Sequence, residues 1–407
     1  MKKEPYHILI RDYDYNLPHD RIAEFPLRER DQSKLLVFNN GEINDDHFFN
    51  LPSHLPENST LILNNTRVIE ARVLFKKPTG GVIEIFCLEP FQQTIEQSLT
   101  SIGRSQWQCL IGGASKWKHG QILQKEIVIS DQTVQLQARY INKEADSFII
   151  EFSWQTHHSF GEVLHGAGAI PLPPYIKRSA TEEDKERYQT IFGNQDGSVA
   201  APTAALHFTN DVFQDLKEKG IDTEYITLHV GAGTFKPVKT ETVAEHEMHR
   251  EPFTVTIEVL KKMLSSKKII AVGTTSLRTL ESIYWLGVKL INGLITEEWN
   301  LQQWQAYDLA SNHPPVTVRE SLSALINWLE RNHQTQLHCQ TSLIIVPGYK
   351  FKIPEGLITN FHQPQSTLLL LVSAFIGEDW RKVYKHALDN DYRFLSYGDS
   401  SLLWRKN

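Results

Sequence analysis

Four histidines of this chain stand beside residues that bind anions or turn tightly, and imidazole is the side chain that exchanges a proton near neutral pH. His207 lies in GSVAAPTAALHFT, His246 and His249 in HEMHRE, and His362 in ITNFHQPQS. His207 and His362 each precede a helix-start signal, Thr209 or Asn210 for the first and Pro364 with Ser366 for the second. The positive end of a helix lowers a histidine's pKa and keeps it neutral, as a general base requires. His246 and His249 stand among Glu245, Glu247 and Glu251, which would raise theirs and suit proton donation. Their spacing lacks HExxH order and no third ligand is evident, so no metal is expected.

Hydroxyls, an amide and glycines supply the rest of the chemistry. VGTTSLRTLES places Thr274, Thr275 and Ser276, then Arg278, directly after an apolar strand. Hydroxyls and free N–H groups at a helix start favour a carboxylate or phosphate. Asn360 can hydrogen-bond a ligand, and the Phe361 ring can pack on a flat base. TLHVGAGTF turns tightly at Gly231 and Gly233, but Lys236 stands where a dinucleotide fingerprint would have its third glycine. Those glycines are expected to let backbone approach a planar ligand closely.

The elements that must carry these residues recur as strand, polar loop and apolar-faced helix. One is 269–272 followed by a helix ending at Gly287, with Leu277, Leu280 and Tyr284 on its face. Another is the run 357–359 followed by the apolar stretch 368–375, with Ser366 as N-cap and Gly377 past the end. The third is the helix after Thr209, closed by Gly220. Singly, each reads equally well as a capped core helix. Three in one chain point to a shared pocket at the carboxyl ends of a sheet. Residues 81–154 instead alternate inward and outward positions in five or more short runs, the pattern of a small antiparallel barrel. The expected fold class is therefore α/β: residues 1–70 and 160–407 form a discontinuous α/β catalytic domain, and 71–159 an inserted β-barrel domain.

At 407 residues two domains are the natural division. Three widely spaced cysteines indicate a reducing compartment, and MKKEPYHILIRDYDY carries no apolar run, so a cytoplasmic protein with no membrane contact is expected. A net charge of −6 argues against indiscriminate nucleic-acid binding. A local basic margin remains, made of Arg67, Arg72, Lys76, Lys77, Lys116 and Lys118.

Taken together, NNTRVI, IPLPPYI, GSVAAPTAALHFT, TLHVGAGTF, HEMHRE, VGTTSLRTLES, PGYKF, ITNFHQPQSTLLLLVSAF and YRFLSYGD resemble one family across nearly the whole chain. It is the S-adenosylmethionine:tRNA ribosyltransferase-isomerases of queuosine biosynthesis. The resemblance implies transfer and isomerisation of the ribosyl part of S-adenosylmethionine onto a 7-aminomethyl-7-deazaguanine in the wobble position of tRNA. Epoxyqueuosine-tRNA, adenine and methionine leave as products. S-Adenosylmethionine is then a consumed substrate, with no further cofactor, and the protein a monomer or homodimer. Gln363, Gln365, Ala205 and Glu70 depart from the family's usual residues, and 281–347 is longer than usual. These departures bear on the acceptor more than on the donor. The alternative is a paralogue using the same donor with a free nucleobase or another RNA.

Overall fold

The structure, a computed structural model, describes residues 5–118, 120–144, 147–231, 238, 240–295 and 298–406. A ten-stranded sheet organises the larger part. Its centre is four parallel strands, Asp222–Leu228, Ser59–Asn64, Lys268–Val272 and Gly356–Asn360, side by side in that order. STLILN and GLITN are buried at every position, because parallel strands covered on both faces need no polar alternation. Ser400–Trp404 runs antiparallel to Gly356–Asn360 and parallel to Lys34–Asn39, which pairs with the edge strand Glu42–His47. That edge carries Asp45 and Asp46, charges that discourage further strand addition. On the other flank Glu251–Thr256, Gln336–Thr341 and Asn300–Leu301 complete the sheet.

The helix Thr274–Ile291 is buried along nearly its whole length, not on a single face, and it does not stop at Gly287. The expected stop is a packing site. A second helix, Val318–Arg331, crosses there, and a Cβ on Gly287 would come 2.1 Å from Ser321 Oγ and 2.5 Å from its carbonyl oxygen. Thr367–Ile376 begins at Ser366, whose Oγ accepts from the Leu369 N–H at 3.2 Å, and ends at Gly377 with φ +68°. Asn210–Glu218 is capped by Thr209.

A separate seven-stranded antiparallel sheet is built from strands between Arg72 and Ser153 together with Gly168–Ala169. It has its own core, which includes Trp107, Phe152 and Phe160. The sheet curls so that Arg72–Lys76 and Ile122–Ile129 approach each other. Among the described residues no ladder joins its two edge strands, Gly168–Ala169 and Ile122–Ile129. A short parallel pair, Thr66–Val68 with Gln195–Ser198, lies beside both sheets.

Candidate active site

The central parallel strands all point the same way, so the loops after them converge at one end of the sheet. A pocket of about 730 Å³, counting the space at its mouth, opens there. Its wall takes residues 200–204 from GSVAAPTAA, Gly273, Thr274 and Thr275, and residues 359–363. The three predicted junctions thus meet in one cavity, and Tyr175, Val230, Ser366, Leu368, Leu395 and Ser396 complete it.

Gly273 makes the helix entry possible. Its φ of +93° with ψ 149° is a conformation that side chains oppose, and no side chain caps this helix. The N–H groups of the first turn therefore keep their positive end free for a ligand. Thr274 and Thr275 line the pocket. Ser276 does not: it is fully buried, its hydroxyl without a partner, and so it leaves the predicted binding set.

Asn360 is a polar group of the wall held at both ends of its amide. Its Oδ1 accepts from Thr203 Oγ1 at 2.9 Å, while Nδ2 donates to His207 Nε2 at 3.3 Å. His207 therefore stands behind Asn360, outside the pocket wall, with Nδ1–H donating to the Arg30 carbonyl at 3.4 Å. Burial pushes the His207 imidazole down to about 4, which holds it in that neutral, accepting tautomer. Its expected role as general base gives way to one of orienting the amide. His362, half-buried, does line the pocket. Its Nε2 lies 3.0 Å from Thr359 Oγ1, and burial lowers it to about 3. The backbone around it is clamped, since the Tyr15 hydroxyl donates to the His362 carbonyl and the His362 N–H donates to Tyr384 Oη.

Other expectations are corrected. The Phe361 residue touches the pocket wall, but its ring is 1% exposed and packs on Tyr384, Tyr392 and Phe394, so it serves mainly the core. His246 and His249 lie outside the main pocket wall. The His246 imidazole is lowered, first by burial and then by His249, rather than raised by its acidic neighbours. Gly231 adjoins Val230 of the wall, and Gly233 lies outside the described residues. Arg278 is buried against Glu251 and lines a smaller adjoining cavity with Met248. Tyr175, Thr203 and Ser396 also line the wall, without a sequence pattern that marks them for it. Tyr175 and Ser396 share a 2.5 Å hydrogen bond at the pocket edge, and only the PPYI motif hinted at the tyrosine. Of the unusual residues, Gln363 faces the pocket, whereas Gln365 donates to Asp14 and Ala205 is core.

The basic margin divides. Lys76, Lys116 and Lys118 are exposed, and Lys77 joins them by donating to the Lys116 carbonyl at 2.5 Å. Arg72 is engaged by Glu84 at 2.6 Å and stacks over Phe86, while Arg67 lies on another strand facing Asp196 at 3.9 Å. Among the described residues no three His, Cys, Asp or Glu side chains converge as a metal-ligand set, and no helix is long and apolar enough to cross a membrane.

A sequence model of the family described as queuosine biosynthesis protein matches residues 10–403. A protein of Sulfurihydrogenibium sp. named S-adenosylmethionine:tRNA ribosyltransferase-isomerase is 38% identical over 97% of this chain and 99% of its own length. Relatives of the same name from Natranaerobius thermophilus and Nitrosomonas europaea are 35% and 37% identical, over 97% and 96% of this chain and 99% and 95% of theirs. A crystal structure of an S-adenosylmethionine tRNA ribosyltransferase from Thermotoga maritima is 26% identical, covering 96% of this chain and 99% of its own, with a TM-score of 0.46.

Proposed function

This chain belongs to the queuosine biosynthesis protein family, and from that premise we infer that it is an S-adenosylmethionine:tRNA ribosyltransferase-isomerase. It transfers and isomerises the ribosyl moiety of S-adenosylmethionine onto tRNA in queuosine biosynthesis, releasing adenine and methionine. The acceptor we assign is a 7-aminomethyl-7-deazaguanine in the wobble position, and epoxyqueuosine-tRNA is the product. S-Adenosylmethionine is consumed as a substrate, and no other cofactor is invoked. The three free, buried cysteines support a reducing, cytoplasmic setting.

The observation that carries the placement of the donor is the convergence of Gly273–Thr275, Asn360 and His362 on one cavity. Helix N–H groups and the Thr274 and Thr275 hydroxyls supply donors. Asn360, fixed by Thr203 and His207, presents an oriented amide. A sulfonium acidifies the adjoining C5′ hydrogens, so a neutral imidazole in the wall can take one and begin expulsion of adenine. His362 is the histidine of the four that lines this wall, and we assign it that role, unprotonated at neutral pH although burial makes it a weaker base than a free imidazole. The incoming aminomethyl nitrogen then bonds to the ribosyl fragment, and methionine departs as the epoxide closes. Residues 71–159, extended by the helix and strand of 160–169 that share their core and sheet, are read as an inserted domain built on an open, curled sheet that holds tRNA through Lys76, Lys77, Lys116 and Lys118. Residues 1–70 and 170–407 are read as the catalytic domain.

The test is incubation with labelled S-adenosylmethionine and tRNA carrying 7-aminomethyl-7-deazaguanine. Adenine release with label entering the tRNA is the expected result. Gln363 faces the pocket, and the acceptor is the part of the reading that it bears on, so the assay includes free deazaguanine base and unmodified tRNA. Label entering only one of those would replace this acceptor by the paralogue's.

A further inference from the structure

A second, narrow cavity of about 280 Å³, counting the space at its mouth, adjoins the main pocket and shares Thr274, Thr275 and Leu368 with it. Its remaining wall is mostly apolar, from Met248, Ile344 and Leu371 among others, with Thr367 and one charged exception. That exception is Arg278, which stands one turn into the helix Thr274–Ile291 and is only 8% exposed. Glu251 engages its Nη2, whereas Nε has no hydrogen-bond partner. A buried guanidinium with an unmet donor is costly unless something fills it. With Nη2 held by Glu251, the unmet Nε–H offers one charge-assisted hydrogen bond, and the anionic acceptor that suits it is a carboxylate. The pair of Arg278 and Glu251 is neutral as a whole, so an entering zwitterion adds no net charge to this buried site.

The shape narrows the ligand further. A group reaching Arg278 from the main pocket passes Thr274, Thr275 and Leu368 and then runs along apolar wall. It needs a short hydrocarbon or thioether chain ending in a carboxylate. We propose that the annex is an α-amino-acid subsite, in which the methionyl arm of S-adenosylmethionine lies along the apolar wall and its α-carboxylate docks on Arg278. This rests on the reading of the main pocket as the donor site. The sulfonium then stands at the shared rim, between the arm and the reacting C5′. Once C5′ is released, L-methionine is left in the annex, so the free amino acid competes with the donor.

Calorimetric titration of the full chain tests this with three ligands: S-adenosylmethionine, its decarboxylated form and L-methionine. The unaltered protein should bind the decarboxylated form 10- to 100-fold more weakly than S-adenosylmethionine, and L-methionine should displace the donor. Equal affinity for the two sulfonium ligands overturns the subsite while leaving the donor reading intact. Failure to bind either one overturns both readings. Arg278→Lys, and Arg278→Met combined with Glu251→Gln, should weaken S-adenosylmethionine by a similar factor. Affinity for the decarboxylated form should stay within twofold. Equal weakening of both ligands gives Arg278 a purely structural role and overturns the proposal. The ligand comparison on the unaltered protein stands even where a variant fails to fold.

Discussion

His207 and His362 are both held neutral by burial, yet they face different things. One accepts from Asn360, and the other lies in the pocket wall. Their lowered pKa values, about 4 and about 3, have a thermodynamic consequence. Unfolded histidine titrates near ~6.5, so as pH falls the unfolded chain takes the proton first. The stability these residues contribute is complete above about pH 6.5 and is lost as pH falls through 4. For His207 the shift corresponds to on the order of 3 kcal/mol. His207→Gln should therefore show a shallower fall in urea-unfolding stability between about pH 6.5 and 4.5 than the wild type. Parallel curves for the two proteins would refute the assignment. His362→Ala should lose turnover by about two orders of magnitude or more, a typical contribution for a proton-transfer group, with donor affinity retained. Turnover within a few-fold of wild type would move proton abstraction to another group. From sequence, His207 and His362 were equal candidates, because each precedes a helix. Which ring faces the main pocket depends on Arg30 and Asn360, partners far away in sequence, and no local pattern records them.

Among the elements, the short-range signals read true. Ser366, Gly377 and Thr209 act at the helix ends where their chemistry placed them, since caps are satisfied by neighbours within a turn. Gly287 misled, because a glycine late in an apolar-faced helix reads as a stop, and only the crossing helix Val318–Arg331 reveals it as a contact. Phe361 misled for a related reason: its ring is claimed by Tyr384, Tyr392 and Phe394, all later in the chain. The contact at Gly287 is with backbone as well as with a hydroxyl, so the neighbour cannot yield by a rotamer change. Gly287→Ala should lower unfolding stability by about 1–3 kcal/mol or more, although alanine is the better helix former. Thermal and urea melts would check this, and a neutral or stabilising effect would show that the two helices can separate at little cost.

At the scale of the molecule, the small curled sheet presents four lysines, while the two arginines of the same basic margin face carboxylates. Charge already paired inside the protein releases few counterions on binding RNA. Changing Lys76, Lys77, Lys116 and Lys118 to Gln should lower tRNA affinity and flatten the dependence of log affinity on log salt by about 3. Arg72→Gln should leave that slope nearly unchanged. Binding titrations at several salt concentrations separate the cases, and a slope that ignores the four lysines would remove the small sheet from the RNA interface. Sequence charge alone could not divide the patch, because Arg72 and Glu84 meet only through strand pairing.

The strand Ser400–Trp404 lies inside the large sheet, between Gly356–Asn360 and Lys34–Asn39. Lys34–Asn39, made early in synthesis, thus waits for a partner made more than three hundred residues later. During that interval the Asn360 side of the pocket has an unpaired neighbour, and Leu402 and Leu403, both buried in the finished sheet, are missing from its core. The small sheet suffers no such delay, since its ladders close within the segment from Arg72 to Ala169. On a ribosome, then, the small sheet can mature first and the pocket at the end of the large sheet last. A nascent chain halted before Ser400 would carry a folded lysine surface beside an unfinished large sheet.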